Sequence, residues 1–132
     1  MITCDTSALL ALINRRDRDH NRVRAAAENV GGPYIVPAAT LGEVAHFIEA
    51  RMTLHILETF LANFEDGRLD FDAGATDFAR VRHLARRYAG LPLGLVDAAV
   101  IACAERCRSP VSTLDRRHFD VVAREGTIEI FP

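Results

Sequence analysis

The sequence contains no lysine: all 16 residues counted as Lys or Arg among its 132 are arginines. Walker-A phosphate loops, Schiff-base enzymes and the phosphotransfer sites of receiver-like and haloacid-dehalogenase-like proteins each rely on a lysine. The sequence therefore excludes these classes. Because GC-rich coding also favours arginine, the bias carries no positive functional weight.

Cysteine is scarce as well, with three residues in the chain. Cys103 and Cys107 stand one helical turn apart in an apolar segment. An odd number with this spacing matches neither a disulfide framework nor a zinc site. The pattern predicts packed thiols.

Long apolar runs and a strong net charge are also missing. No stretch of about eighteen apolar residues occurs, and the start "MITCDTSALLALI" lacks the basic residues and cleavage site of a signal peptide. We therefore expect a cytoplasmic protein without a membrane segment. The net charge of −2 gives no general attraction to nucleic acid, so phosphate binding requires a local patch or a bound cation.

The remaining composition predicts one α/β domain over residues 1–132, because 49% hydrophobic residues suffice for a single core. Apolar periodicity and turn residues predict strands at 1–4, 33–37, 68–71, 111–114 and 127–131. They predict helices at 7–13, 19–29, 40–51, 53–64, 75–89, 94–107 and 115–123. Strands separated by helices need crossovers, which favour a central parallel sheet flanked by helices on both faces.

Four carboxylates follow strand ends or begin helices, and each has a local structural explanation. Asp5 suits a helix N-cap, Thr40 with Glu43 matches a capping box, and Asp115 suits the cap of the last helix. Asp97 heads a strongly apolar helix, where a buried carboxylate needs a partner, a cation or the helix dipole. None of the four identifies a site by itself.

Together the four acids indicate more, because a parallel sheet gathers strand ends on the edge where ligands bind. Clustered carboxylates repel one another, and a divalent cation such as Mg²⁺ or Mn²⁺ resolves this with hard oxygen ligands. Such a cation lowers the pKa of bound water and stabilises charge on a phosphate. The five histidines show no metal-ligand spacing, and the arginine clusters suit either solvated helix faces or contacts with RNA or an acidic partner.

The motifs "DTSALLAL", "TLGEV", "LVDAAVIACA" and "TLDRRHF", in this order, resemble those of PIN-domain proteins. In particular, they resemble those of VapC-type toxin ribonucleases of toxin-antitoxin pairs, and the resemblance covers essentially the full length. The resemblance implies a Mg²⁺-dependent endoribonuclease that hydrolyses RNA with metal-activated water; Mn²⁺ is the alternative ion. It implies a PIN-like fold.

The resemblance also assigns roles to individual residues. Asp5 and Asp97 would be the principal metal ligands, while Glu43 and Asp115 would complete the acidic cluster directly or through water. The remaining residues that it implicates are Thr6 and Ser7 beside the first acid, Thr113 to orient Asp115, and Arg116, Arg117 and His118 as candidate RNA or antitoxin contacts.

The implied partners are an RNA substrate, a cognate antitoxin and a second copy of the chain, in a heterotetramer or larger assembly. Apolar residues of the middle helices are compatible with this. Phe47 is a candidate partner contact, and the candidates for packing on the sheet are Leu54, Leu57, Phe60, Leu61 and Phe64. Two other functions stay open: a PIN-fold module that binds RNA or a partner without cleavage, and a metal-dependent nuclease acting on DNA.

Overall fold

A computed structural model describes residues 1–132. The strands are β1 (Ile2–Cys4), β2 (Tyr34–Pro37), β3 (Leu69–Asp72), β4 (Val111–Ser112) and β5 (Ile130–Phe131). The helices are α1 (Thr6–Ile13), α2 (His20–Val30), α3 (Ala38–Arg51), α4 (Leu54–Glu65), α5 (Phe78–Arg87), α6 (Leu95–Cys107) and α7 (Arg116–Ala123). The predicted α/β class is confirmed, and so is the order of strands and helices.

The five strands form one parallel sheet in the order β3-β2-β1-β4-β5. The connection after β1 leads to β2 on one side, and the connection after β4 leads to β5 on the other. In open parallel sheets a crevice opens between two such strands at their carboxyl ends. The fold therefore places the end of β1 and the end of β4 on the two sides of one crevice.

Helices cover both faces of the sheet, as predicted. Right-handed crossovers place α1 to α4 on one face and α5 to α7 on the other. The buried clusters follow this division: one joins Leu9, Val44, Ile48 and Phe60 to β1, and the other joins Leu84, α6 and Phe119 to β4. Because side chains alternate along a strand, Ile2 and Cys4 enter the first cluster, whereas Thr3 points the other way and bonds Ser109 at 2.6 Å.

Several predicted boundaries were wrong; among them, β5 begins at Ile130 rather than at 127, and α5 ends at Arg87 rather than at 89. α3 begins at Ala38 after Pro37 rather than at Thr40, so Thr40 lies inside the helix and the capping box with Glu43 does not form. α5 begins at Phe78 because residues 74–77 form a turn, with Gly74 at a φ of 63°. β4 ends at Ser112, two residues earlier than predicted.

The predicted packing of α4 was partly wrong. Phe60 is fully buried, and Leu57 and Phe64 pack against the same cluster. Leu54 and Leu61 are exposed, at 70% and 49% of their surfaces. No helix combines the length and the apolar character that crossing a membrane requires.

Candidate active site

Asp5 stands at the carboxyl end of β1 and is almost completely buried. It occupies the N-cap position of α1, yet its side chain makes no capping hydrogen bond. Instead, its Oδ2 accepts hydrogen bonds from Ser7 Oγ at 2.8 Å and from Thr113 Oγ1 at 2.9 Å. Neither hydroxyl uses Oδ1. Burial raises the pKa of Asp5 above its ordinary value, while these two hydroxyls act in the opposite direction.

The two hydroxyls also tie the loop after β4 to β1. Ser7 Oγ accepts a hydrogen bond from the amide of Leu114, and Thr113 Oγ1 accepts one from the amide of Asp115. The Thr113 hydroxyl therefore contacts the backbone of Asp115, whereas it donates its own hydrogen to the Asp5 carboxylate. The resemblance had suggested that Thr113 orients the Asp115 carboxylate; the structure shows the stronger connection to Asp5.

Asp97 lies in the first turn of α6, where the amino end of the helix meets the crevice. Burial raises its pKa, the negative charges of Asp5 and Asp115 raise it further, and His118 acts in the opposite direction. Electrostatic coupling of this kind requires proximity. Hydrogen bonds at Thr113 link Asp5 to the amide of Asp115, and ligand atoms of Asp97 and Asp115 lie within 4.8 Å of each other, so the three acids lie together at the carboxyl edge of the sheet.

His118 lies between two of these acids. Its Nδ1 is 2.9 Å from Asp97 Oδ2 and 3.2 Å from Asp115 Oδ2. The ligand atoms of Asp97, Asp115 and His118 lie within 4.8 Å of one another. Sequence reasoning had assigned His118 only to outer contacts, although the spacing D-x-x-H places positions 115 and 118 on one face of a helix. That spacing was the available signal.

Glu43 reaches the same end of the sheet by a different route. It projects from the exposed side of α3, and its Oε1 accepts a 2.6 Å hydrogen bond from Thr6 Oγ1. Thr6 directly follows Asp5, so this bond holds Glu43 beside the start of α1. Of the two hydroxyl residues that follow Asp5 in the chain, Thr6 therefore donates to Glu43 and Ser7 donates to Asp5.

Two basic residues, Arg116 and Arg117, begin α7 directly after Asp115. Arg116 forms an ion pair with Asp120 at 3.0 Å, one turn along α7. Arg117 is exposed and forms no ion pair within the chain. Of the two, Arg117 has the guanidinium that remains available to an anionic ligand.

The donor set of the cluster fits a divalent cation. Asp5, Asp97 and Asp115 supply carboxylate oxygens, the ligands that Mg²⁺ and Mn²⁺ prefer. Burial and the negative charges of Asp5 and Asp115 raise the pKa of Asp97, and a cation bound beside it would favour its charged form. Together with a nearby nitrogen at His118, this arrangement can bind a cation and, with it, a phosphate group.

Comparisons with known proteins identify relatives of this chain. The chain is similar to ribonuclease VapC26 of Mycobacterium tuberculosis, with 27% identity over 124 residues that cover 92% of each protein. Its fold is similar to that of M. tuberculosis VapC20, a toxin that cleaves the sarcin-ricin loop, with a TM-score of 0.78 and 18% identity over 92% of this chain and 95% of that one.

A second solved structure shares the fold. FitAcB from Neisseria gonorrhoeae matches with a TM-score of 0.66 and 19% identity, covering all of this chain and 97% of that one. The family model for the PIN domain matches residues 2–125. The chain therefore belongs to the PIN domain family.

Proposed function

We propose that this protein is a metal-dependent endoribonuclease that acts as the toxin of a toxin-antitoxin pair. The observation that carries the proposal is the convergence of Asp5, Asp97 and Asp115 at the crevice between β1 and β4, with Glu43 held beside them. The similarity to ribonuclease VapC26 supports RNA as the substrate.

Asp5, Asp97 and Asp115 would hold Mg²⁺ or Mn²⁺, and Glu43 would act from the exposed side of the cluster. When bound, the cation would lower the pKa of a water molecule and neutralise charge on the phosphate. The chain itself contributes preorganisation. Two hydroxyls fix Asp5 through Oδ2, and this leaves Oδ1 without a side-chain donor. Burial of Asp5 also keeps bulk water from solvating its charge.

The substrate side of the site is open at Glu43 and Arg117. The exposed Glu43 carboxylate is positioned by Thr6 to accept a proton from water that approaches from solvent. Arg117 can contact a neighbouring phosphate of the RNA strand, since arginine binds phosphate in bidentate geometry. The Ser7 hydroxyl is held by two hydrogen bonds, to Asp5 Oδ2 and from the Leu114 amide, so the proposed nucleophile is water and the proposed reaction is direct hydrolysis.

The test is incubation of the purified protein with matched RNA and DNA hairpins, with added Mg²⁺ or Mn²⁺ and with a chelator. We expect cleavage of the RNA hairpin alone, lost on chelation and in Asp5→Asn and Asp97→Asn proteins. Asp70→Asn is the matched control, because Asp70 is an exposed carboxylate on β3, outside the cluster. RNA binding without cleavage would support a silent binding module, and cleavage of DNA would support a DNA nuclease.

A groove between α1, α3 and α4 supports the partner half of the proposal. It has a volume of about 930 Å³. Its apolar lining consists of Leu12, Ile13, Phe47, Met52, Ile56 and Phe60. Phe47 thus lines the groove, with the guanidinium of Arg51 over its ring at 5.6 Å.

The basic residues that line the groove indicate which kind of partner segment would bind there. Arg15, Arg16, Arg51 and His55 line it, and none of its 14 lining residues is acidic. The three arginines form no ion pairs within the chain, although Arg18, Arg22 and Arg24 nearby all do. Because the whole chain is slightly acidic, this local excess of positive charge favours an amphipathic segment with acidic residues. We assign the groove to such a segment of the antitoxin.

Charge reversal in the groove tests this assignment. The double variant Arg15→Glu with Arg51→Glu should weaken binding of the protein encoded beside this one, measured by calorimetry, while RNA cleavage persists. Arg82→Glu is the control, since Arg82 is exposed on α5 and forms no ion pair. Unchanged affinity of the folded double variant would remove the groove from the antitoxin interface and leave the nuclease proposal intact.

A further inference from the structure

The Nδ1 atom of His118 contacts two carboxylates without forming a hydrogen bond with either of them. Nδ1 is buried, and although two carboxylate oxygens lie 2.9 and 3.2 Å away, no hydrogen bond of acceptable geometry forms. Buried polar atoms almost always have partners, so an exception in a polar cluster requires an explanation. A group that is absent from the chain itself and lies among the three atoms would supply it.

The spacing of the three atoms resembles that of neighbouring ligands around one small cation. In an octahedral site with bonds of about 2.1 Å, adjacent ligand atoms stand about 3.0 Å apart. Nδ1 of His118 has that separation from both Asp97 Oδ2 and Asp115 Oδ2. The nitrogen is therefore at a distance from both oxygens that suits three ligands of one cation.

The local fold fixes the imidazole in this place. Asp115 is the N-cap of α7, and its Oδ1 accepts a 3.4 Å hydrogen bond from the His118 amide. The cap residue and the residue three positions later face the same way in the first helical turn. The Asp115 amide donates a hydrogen bond to Thr113 Oγ1, which in turn donates to Asp5 Oδ2, and this anchors the turn to Asp5. His118 is thus held by the same elements that hold the acids.

We propose that His118 is a direct ligand of the bound cation, together with Asp97 and Asp115, and that its nitrogen makes the site favour Mn²⁺ over Mg²⁺. This inference rests on the proposed function, since it concerns the cation of that site. Mg²⁺ is a hard ion that takes oxygen ligands, whereas first-row transition metals accept imidazole nitrogen readily. A site with three carboxylates alone would lack this source of discrimination.

The test combines binding of Mn²⁺ and Mg²⁺ alone, measured by calorimetry, with electron spin echo spectroscopy of bound Mn²⁺. We expect modulation from a directly bonded ¹⁴N in the wild-type protein and its loss in His118→Asn. Outer partners of metal sites typically contribute about 10–100-fold in affinity, so loss of a direct ligand should weaken Mn²⁺ binding by at least about 10-fold. Mg²⁺ binding should weaken by a smaller factor, because the asparagine oxygen can replace the nitrogen.

His83→Asn is the matched control, because His83 is exposed on α5; its Mn²⁺ spectrum and affinity should equal those of the wild type. Labelling the wild-type histidines with ¹⁵N tests the same point without a substitution, since the modulation must change to that of ¹⁵N. A spectrum unaffected by the label, or a folded His118→Asn protein with unchanged Mn²⁺ affinity, would overturn the inference while the nuclease proposal stands. A wild-type protein that binds neither cation would overturn both.

Discussion

Replacing Asp97 by Asn should stabilise the metal-free protein while removing its activity. Burial and the charges of Asp5 and Asp115 raise the pKa of Asp97 above its ordinary value of 3.8. Between 3.8 and that raised pKa, the native state binds more protons than the unfolded state, so stability falls as pH rises through this window. At pH values above the raised pKa, this loss of stability is complete. Asparagine carries no charge and avoids this loss at neutral pH.

The size of the effect follows from the separation of the charges. The ligand atoms of Asp97 and Asp115 lie within 4.8 Å of each other. Two unit charges at that distance repel by about 1 kcal/mol in water and by about 3 kcal/mol at the dielectric typical of a protein surface. Because both side chains are partly exposed, we expect a value near the lower figure. For a chain of this size, about 1 kcal/mol raises the melting temperature by roughly 3–5 °C.

Added metal should make the wild-type protein more stable than the Asp97→Asn protein. A cation at about ten times its Kd stabilises the wild-type protein by about 1.4 kcal/mol, and it cannot do so for a variant that has lost a ligand. Thermal unfolding of both proteins, with chelator and with a Mn²⁺ series, measures these terms. Asp70→Asn should respond to Mn²⁺ as the wild type does. A metal-free Asp97→Asn protein that melts below the wild type, or a wild type indifferent to Mn²⁺, would refute the reasoning.

Four further predictions concern two hydroxyls beside the acids, the packing of α4 and the pH dependence of metal binding. Thr113→Val should cost about 1–3 kcal/mol in urea unfolding, because buried Asp5 loses a donor; Thr113→Ser should recover most of it, and equal stability of all three proteins would contradict this. Thr6→Val should change stability by no more than about 0.5 kcal/mol, since the pair is exposed, yet slow RNA cleavage by releasing Glu43; an unaffected rate would remove Thr6 from the site. Phe60→Ala should cost about 3–5 kcal/mol because Phe60 is fully buried, whereas exposed Leu54→Ala should stay within about 0.5 kcal/mol; similar losses in both would contradict the packing of α4. The affinity for Mn²⁺, followed by calorimetry, should begin to weaken on acidification at a pH above 3.8, because Asp5 and Asp97 have raised pKa values and protons then compete with the metal; an affinity that stays constant down to pH 3.8 would show that neither is a ligand.

The sequence predicted the fold well because its strands and helices are separated by clear turns and differ in periodicity. The boundaries that failed have physical causes. Pro37 ends β2 and is followed at once by α3, so the apparent cap at Thr40 falls inside the helix. The turn from Gly74 to Asp77 uses helix-compatible residues, and only its backbone conformation separates it from α5.

The candidate site was predictable at the level of the sheet edge and no further. Strand ends indicate that Asp5 and the residues after β4 face one crevice. Whether the Thr113 hydroxyl donates to the Asp5 or to the Asp115 carboxylate depends on its rotamer; in the structure it donates to Asp5 Oδ2 and accepts from the Asp115 amide. His118 was predicted as an RNA or antitoxin contact and not as a neighbour of the acids, because its position matters to them only once α6 brings Asp97 opposite to it.

The most direct test of the central claim is the rate of cleavage of an RNA hairpin as a function of Mn²⁺ concentration, for the wild-type and Asp5→Asn proteins. We predict a rate that saturates with Mn²⁺ for the wild type, is abolished by chelator, and is absent from the folded variant at every concentration. Cleavage by the Asp5→Asn protein at the wild-type rate, or wild-type cleavage that persists undiminished in chelator, would contradict the account.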